Sequence, residues 1–285
     1  MRPPSAPRYD RIVSLIAVVL LGLAVIFLID SNPNILQLRL GADLPVITVS
    51  WLLIGSLVII ASAGADLLAR SHPAMQHRQL PVINLGFVVV ELAPGFWILP
   101  SFTIISSFAF FRLFSGQLQG VAFALAIAAA GGLLLAVLVC QHYALDRKEQ
   151  VSQPAQLALQ AMAYLLAFGC FSAVYYARLR TLYSAALIGA SGALLAYALL
   201  TWASRRNMAL LALLVGLILA EATWALNYWA LSFLLGGTLL LVLFYVITGL
   251  LQHQAAGRLQ RRLLIEYGLL GSAMLVAVAW IAFQS

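Results

Sequence analysis

Met208-Ala-Leu-Leu-Ala-Leu-Leu-Val-Gly216-Leu-Ile-Leu-Ala-Glu221-Ala-Thr-Trp224-Ala-Leu-Asn227-Tyr228-Trp229 runs from its first residue to Glu221 without a charge. A stretch of about twenty apolar residues, rising 1.5 Å per residue as a helix, is what a hydrocarbon layer of about 30 Å requires. The same pattern fills the chain. Of its 285 residues 64% are hydrophobic and 9% are charged, whereas a soluble domain carries roughly a quarter charged residues. The runs are too long for barrel strands of about ten alternating residues, so the spans are helices that satisfy their own backbone. The fold class is an all-α polytopic transmembrane bundle in one domain, residues 1–285.

Nine spans are predicted, at 12–29, 46–69, 96–114, 119–141, 157–177, 182–203, 208–227, 229–251 and 263–283. The stretch 81–114 is too long for one crossing and too short for two. Asn84, Glu91, Pro94, Gly95 and Pro100 interrupt it, and a proline disfavours helix at the residue before it. We read a short interfacial or re-entrant helix over 82–92, a break at Pro94-Gly95, then a full span. A crossing at 82–95 would reverse every later orientation. At the N-terminus, Met1 to Arg11 precede the apolar run Ile12–Ile29, which ends without a small-residue cleavage pattern and reads as an uncleaved first span.

Charge orients the bundle. With the N-terminus cytoplasmic, the inner segments hold Arg2, Arg8, Arg11, Arg70, Arg78, Arg147, Lys148, Arg205, Arg206, Arg258, Arg261 and Arg262. The outer ones hold Arg39, Arg112, Arg178 and Arg180. Twelve against four is a positive-inside bias spread along the chain, and it places the C-terminus outside. The same scatter of small basic clusters removes nucleic acid as a partner for the net charge of +7. The loops are too short for a soluble domain, and tight hairpins at 176–181 and 226–229 make neighbouring spans antiparallel.

Few polar residues lie deep enough to need a reason. An ionised carboxylate at Glu221 costs several kcal/mol in hydrocarbon unless it pairs, protonates or faces a cavity. Trp224 and Tyr228 follow at helical spacing on its face, with Asn227 slightly around. These residues, with Arg178, Arg180 or Arg112 as cationic partners, form a candidate polar pocket opening outward. The plainer reading makes Glu221 packing glue and the aromatics an interfacial belt. A candidate inner-face group joins Asp66 and Arg70, four apart, with Glu91 before the break, and Arg262 and Glu266, again four apart. Interfacial ion pairs that set helix depth account for these equally well.

Other features bound the chemistry. His72, His77, His142 and His253 all fall at the inner face, two of them in matching Gln141-His142 and Gln252-His253 contexts. They sit at span ends, where a haem or metal site is not expected. Cys140 and Cys170 make no C-x-x-C pattern, and Tyr245 reads as packing. Phosphate-binding loops, nucleophile elbows and zinc-protease motifs are missing from the sequence. No cofactor is expected. Small residues at Ala126–Gly132, at Ala186, Gly189, Ala190 and Ala193, and at Gly236-Gly237 permit close helix approach. Their three spans all run from outside to inside, which hints at a repeated helical hairpin although the sequence similarity between them is weak.

The quoted stretch from Glu221, then Gly236-Gly237, Phe244-Tyr245-Val-Ile-Thr-Gly249-Leu and Arg258-Leu-Gln-Arg261-Arg262 before Glu266, resembles an uncharacterised bacterial family of multi-pass membrane proteins. That family is a domain of unknown function common in Chloroflexi-like bacteria. The resemblance extends through Leu99-Pro100, Phe110-Phe111-Arg112-Leu-Phe-Ser-Gly and Tyr175-Tyr-Ala-Arg178-Leu-Arg180, and covers the chain after about residue 95. It implies a plasma-membrane protein and lends no activity. The function expected is a structural or accessory subunit of a membrane complex, with the lipid bilayer and other membrane proteins as partners. The alternatives are a small-solute or lipid transporter using Glu221, and a lipid-active membrane enzyme.

Overall fold

The computed structural model describes residues 7–30, 37–38, 47–73, 75, 82–84, 89–91, 94–146, 148–203, 208–229, 232–255, 257 and 261–284. The helices are α1 (Tyr9–Asp30), α2 (Val49–Arg70), α3 (Pro94–Leu113), α4 (Val121–Ala144), α5 (Glu149–Tyr176), α6 (Thr181–Ala203), α7 (Met208–Leu226), α8 (Phe233–Ala255) and α9 (Arg261–Gln284). Among the described residues, α1 to α8 are long and apolar enough to cross a membrane. This is one fewer than the sequence predicts. In α9 the described apolar stretch is the shorter Ile265–Ala277.

Two short antiparallel ribbons accompany the helices, β1 (Gln37–Leu38) with β2 (Ile47–Thr48) and β3 (Val82–Asn84) with β4 (Val89–Glu91). The second replaces the helix expected over 82–92. Val82, Ile83, Val89 and Val90 are β-branched, which restricts them in a helix and suits a pleated pair, and Ile83 stands opposite Val90.

The chain forms two compact units, 1–159 and 160–285, whose boundary falls within α5. Unit 1 packs α1 to α4 around Val19, Leu23, Leu57, Ala61, Ile104 and Leu134. Within it α2 and α3 are antiparallel: Trp51 meets Phe108 edge-on at 5.7 Å between centroids, and further along Ser62 and Ser101 share a hydrogen bond of 2.8 Å. The last turn of α2 and the first turn of α3 therefore lie at the same end of unit 1.

Pro100 lies inside α3. It has no N–H to give the carbonyl four residues back, that of Phe96. The buried Gln141 side chain of α4 supplies the donor, its Nε2 lying 3.0 Å from the Phe96 oxygen. A break in one helix is thus closed by its neighbour, as an apolar surrounding demands.

Unit 2 holds the rest of α5 and α6 to α9. Helices α6 and α7 touch backbone to backbone: a Cβ added at Gly216 would lie 2.5 Å from the Gly189 carbonyl oxygen and 2.7 Å from Ala193 Cβ. Elsewhere the small residues serve differently. Gly236 and Gly237 of α8 receive the side chains of Tyr175 and Ser172 from α5, and in unit 1 Gly131 receives Leu20. The glycines expected to mark a repeat thus make contacts of different kinds. Phe171 and Phe244, both fully buried, meet edge to face at 5.9 Å.

Candidate functional site

On α7 the buried residues Ala212, Val215, Gly216, Leu219, Thr223 and Leu226 form one stripe. At 3.6 residues per turn the opposite side carries Leu210, Leu214, Leu217, Glu221, Trp224 and Tyr228, and all six are exposed. Helix α6 packs on the buried stripe through Gly189, Gly192 and Ala193. Glu221 therefore points away from α6 and makes no hydrogen bond or ion pair with a described residue.

Among the described residues, no polar side chain joins Glu221 to form the predicted outward pocket. Arg178, at a positive φ of 44°, and Arg180 sit exposed in the turn between α5 and α6. Asn227 is half-buried, with its Nδ2 unpartnered among the described residues. Trp224 and Tyr228 stand exposed on the same stripe as Glu221. Arg112 belongs to unit 1 and has other neighbours there.

Those neighbours are the least foreseen part of the molecule. At the end of unit 1 where α1 and α3 finish and α2 begins, Arg112 Nε lies 4.0 Å from Asp30 Oδ2. Its guanidinium carbon is 5.9 Å from the Trp51 ring centroid, within cation–π range. Ser50 Oγ donates to Asp30 Oδ1 at 3.1 Å. Phe27, Asp30, Phe108, Phe111, Arg112 and Ser115 border a cavity of about 300 Å³. Asp30 sits at the end of an apolar run, where it reads as a loop residue; only its contacts distinguish it.

At the opposite end of unit 1, Asp66 and Arg70 pair at 2.6 Å between Oδ2 and Nε. For a partly exposed pair spaced in this way the contribution is about 0.3–0.5 kcal/mol. Glu91 stands on β4 and Arg262 at the start of α9, and the roles expected of their side chains lie outside the described residues. Glu266 is exposed near the start of α9. Among the described residues no three His, Cys, Asp or Glu side chains are grouped to hold a metal.

The two Gln-His pairs use their glutamines between helices. Gln141 closes the break in α3, and Gln252 accepts a hydrogen bond from Gln160 Nε2 of α5 at 3.0 Å. Tyr164 extends this second link: its hydroxyl lies 3.1 Å from Thr248 Oγ1, and its ring is 5.2 Å from that of Tyr245. Tyr245 in turn neighbours Tyr267, which neighbours His253. The result is a polar seam joining α5, α8 and α9.

His72, just beyond α2, is 4% exposed and meets the His142 ring at 4.7 Å. Burial, and then the neighbouring His142, lower its pKa from the usual 6.5, while Asp146 acts in the opposite sense. A base whose folded pKa is lowered contributes stability fully above its unfolded pKa and loses it as pH falls below that value. The unfolding temperature in detergent should therefore drop between about pH 7.5 and pH 5.5, with a shallower slope in His72→Gln. Equal slopes would assign the pH dependence to other groups.

Apolar helices of spanning length define a multi-pass membrane protein. The chain belongs to the DUF5656 family, described as protein of unknown function, whose profile matches residues 31–281. The match begins well before residue 95, so α2 and both ribbons fall within it. No curated protein and no solved structure matches the chain.

Proposed function

We propose that this protein is a structural or accessory subunit of a membrane complex in a bacterial plasma membrane, and that the exposed stripe of α7 receives a partner helix. The observation that carries this reading is Glu221 itself. It stands about 6 Å along the axis from the middle of α7, exposed between Leu217 and Trp224 and unpartnered among the described residues. A carboxylate facing lipid near that depth costs about 2.5–3.5 kcal/mol on insertion scales. A neighbouring helix bringing a basic or hydrogen-bonding side chain removes most of that cost. The transport alternative needs a lined pocket at Glu221, and no described residue encloses it.

The proposed orientation has the N-terminus cytoplasmic and nine crossings, with α9 the last and the C-terminus outside. The basic-residue bias supports it, as does the antiparallel packing of α2 and α3, which puts the end of one beside the start of the other. The 24 residues of α9 also reach about 36 Å as a helix.

A photo-crosslinking residue at Leu217 or Trp224 is expected to trap one protein in irradiated source membranes. Glu221→Leu should lower recovery of that partner about tenfold, equivalent to about 1.4 kcal/mol, without lowering the unfolding temperature of the isolated chain. Crosslinks to lipid alone would remove the proposal.

A further inference from the structure

Asp30 and Arg112 carry opposite charges side by side, yet they do not close on each other. Their nearest approach of 4.0 Å is beyond hydrogen-bond length. Ser50 occupies Asp30 Oδ1, which leaves Oδ2 without a hydrogen bond from a described residue. Arg112 is steadied by the face of Trp51, but its N–H groups make no hydrogen bond to a described residue and its side chain is 50% exposed. A guanidinium keeps five donors in a rigid fork suited to phosphate. A carboxylate beside it makes a purely anionic ligand costly, and the guanidinium does the same for a purely cationic one.

We propose that this end of unit 1 binds the zwitterionic headgroup of a lipid that bears a primary ammonium and a phosphate. The ammonium donates to Asp30 Oδ2, and Arg112 donates through two N–H groups to the phosphate oxygens. The cavity beside them, about 300 Å³, is of the size at which small-molecule sites begin. Phe27, Phe108 and Phe111 border it and give an apolar wall to the glycerol and first chain carbons. That wall selects a lipid over a water-soluble zwitterion carrying the same two charges. The site uses residues of unit 1 alone, so it stands or falls independently of the α7 reading.

The test is lipid retention by the full chain, purified in detergent and exchanged into nanodiscs containing phosphatidylethanolamine, phosphatidylcholine and phosphatidylglycerol in equal parts. Native mass spectrometry then reads the lipids that stay bound. One phosphatidylethanolamine per chain is expected, preferred about tenfold over each of the others, and Arg112→Gln and Asp30→Asn should each erase the preference. Retention of phosphatidylglycerol as strong as that of phosphatidylethanolamine would overturn the proposal, as would a preference that survives Asp30→Asn. Displacement of the lipid by free phosphoethanolamine at equal concentration would also overturn it, by showing that the apolar wall takes no part. If either variant fails to fold, the choice made by the unmodified chain among the three lipids still decides.

Discussion

Replacing Gly216 by valine is expected to unseat α7 from α6 and leave little folded protein to purify. The two helices meet where neither has a side chain: a Cβ on Gly216 would lie 2.5 Å from a backbone oxygen of α6 and 2.7 Å from Ala193 Cβ. Neither neighbour can rotate aside, because one is backbone and the other is the first carbon of its side chain. Inserting atoms into a well-packed core typically costs about 1–3 kcal/mol. Even alanine at Gly216 should reach the upper part of that range, and valine should exceed it. Close approach of small residues supplies much of the packing between helices in lipid, where burial from water contributes little between spans. Gly132 is the control, since a Cβ there meets nothing within 4 Å. Gly132→Ala should purify and unfold like the unmodified chain, and equal behaviour of Gly216→Ala would show that the α6–α7 contact is looser than described.

Gln141→Leu is expected to cost about 1–3 kcal/mol, the penalty of leaving a buried carbonyl acceptor without its donor. The carbonyl in question is that of Phe96, which Pro100 deprives of its helical partner. This origin makes the effect conditional. Pro100→Ala restores an N–H to position 100, so Phe96 can bond within α3 and Gln141 becomes dispensable. In that background Gln141→Leu should lose most of its effect, giving a coupling energy of about 1 kcal/mol or more in a double-mutant cycle. Unfolding temperatures in detergent for the four variants check it; additive losses would mean that Gln141 acts by packing rather than by closing the break.

Much of the helical layout was legible in the sequence. The apolar runs and the structural helices agree in order and mostly to within a few residues, because in hydrocarbon each segment must satisfy its own backbone and therefore carries its own signal. The larger departures have local causes. Helix α5 starts at Glu149, well before the predicted 157, since Pro154 lies so near the start that only the Gln150 carbonyl loses a donor. The pairing of β3 with β4 reflects β-branched residues that the expected helix overrode.

The candidate sites were far less legible. Helix α7 is apolar almost all round, so its sequence does not say which side faces inward. Glu221 reads from sequence as the mark of a pocket because buried position and buried side chain cannot be told apart along one apolar run. The face was decided by Gly189 and Gly216, which allow α6 to approach on the opposite side. The Asp30–Arg112 pair and the Gln141–Phe96 link join helices that no spacing rule connects. The sequence by itself determined that this protein is an all-α membrane bundle and where its helices run, because solvation by lipid acts on each segment separately. Only the tertiary structure decided which polar groups meet, because helix packing depends on the fit of surfaces brought together from distant parts of the chain.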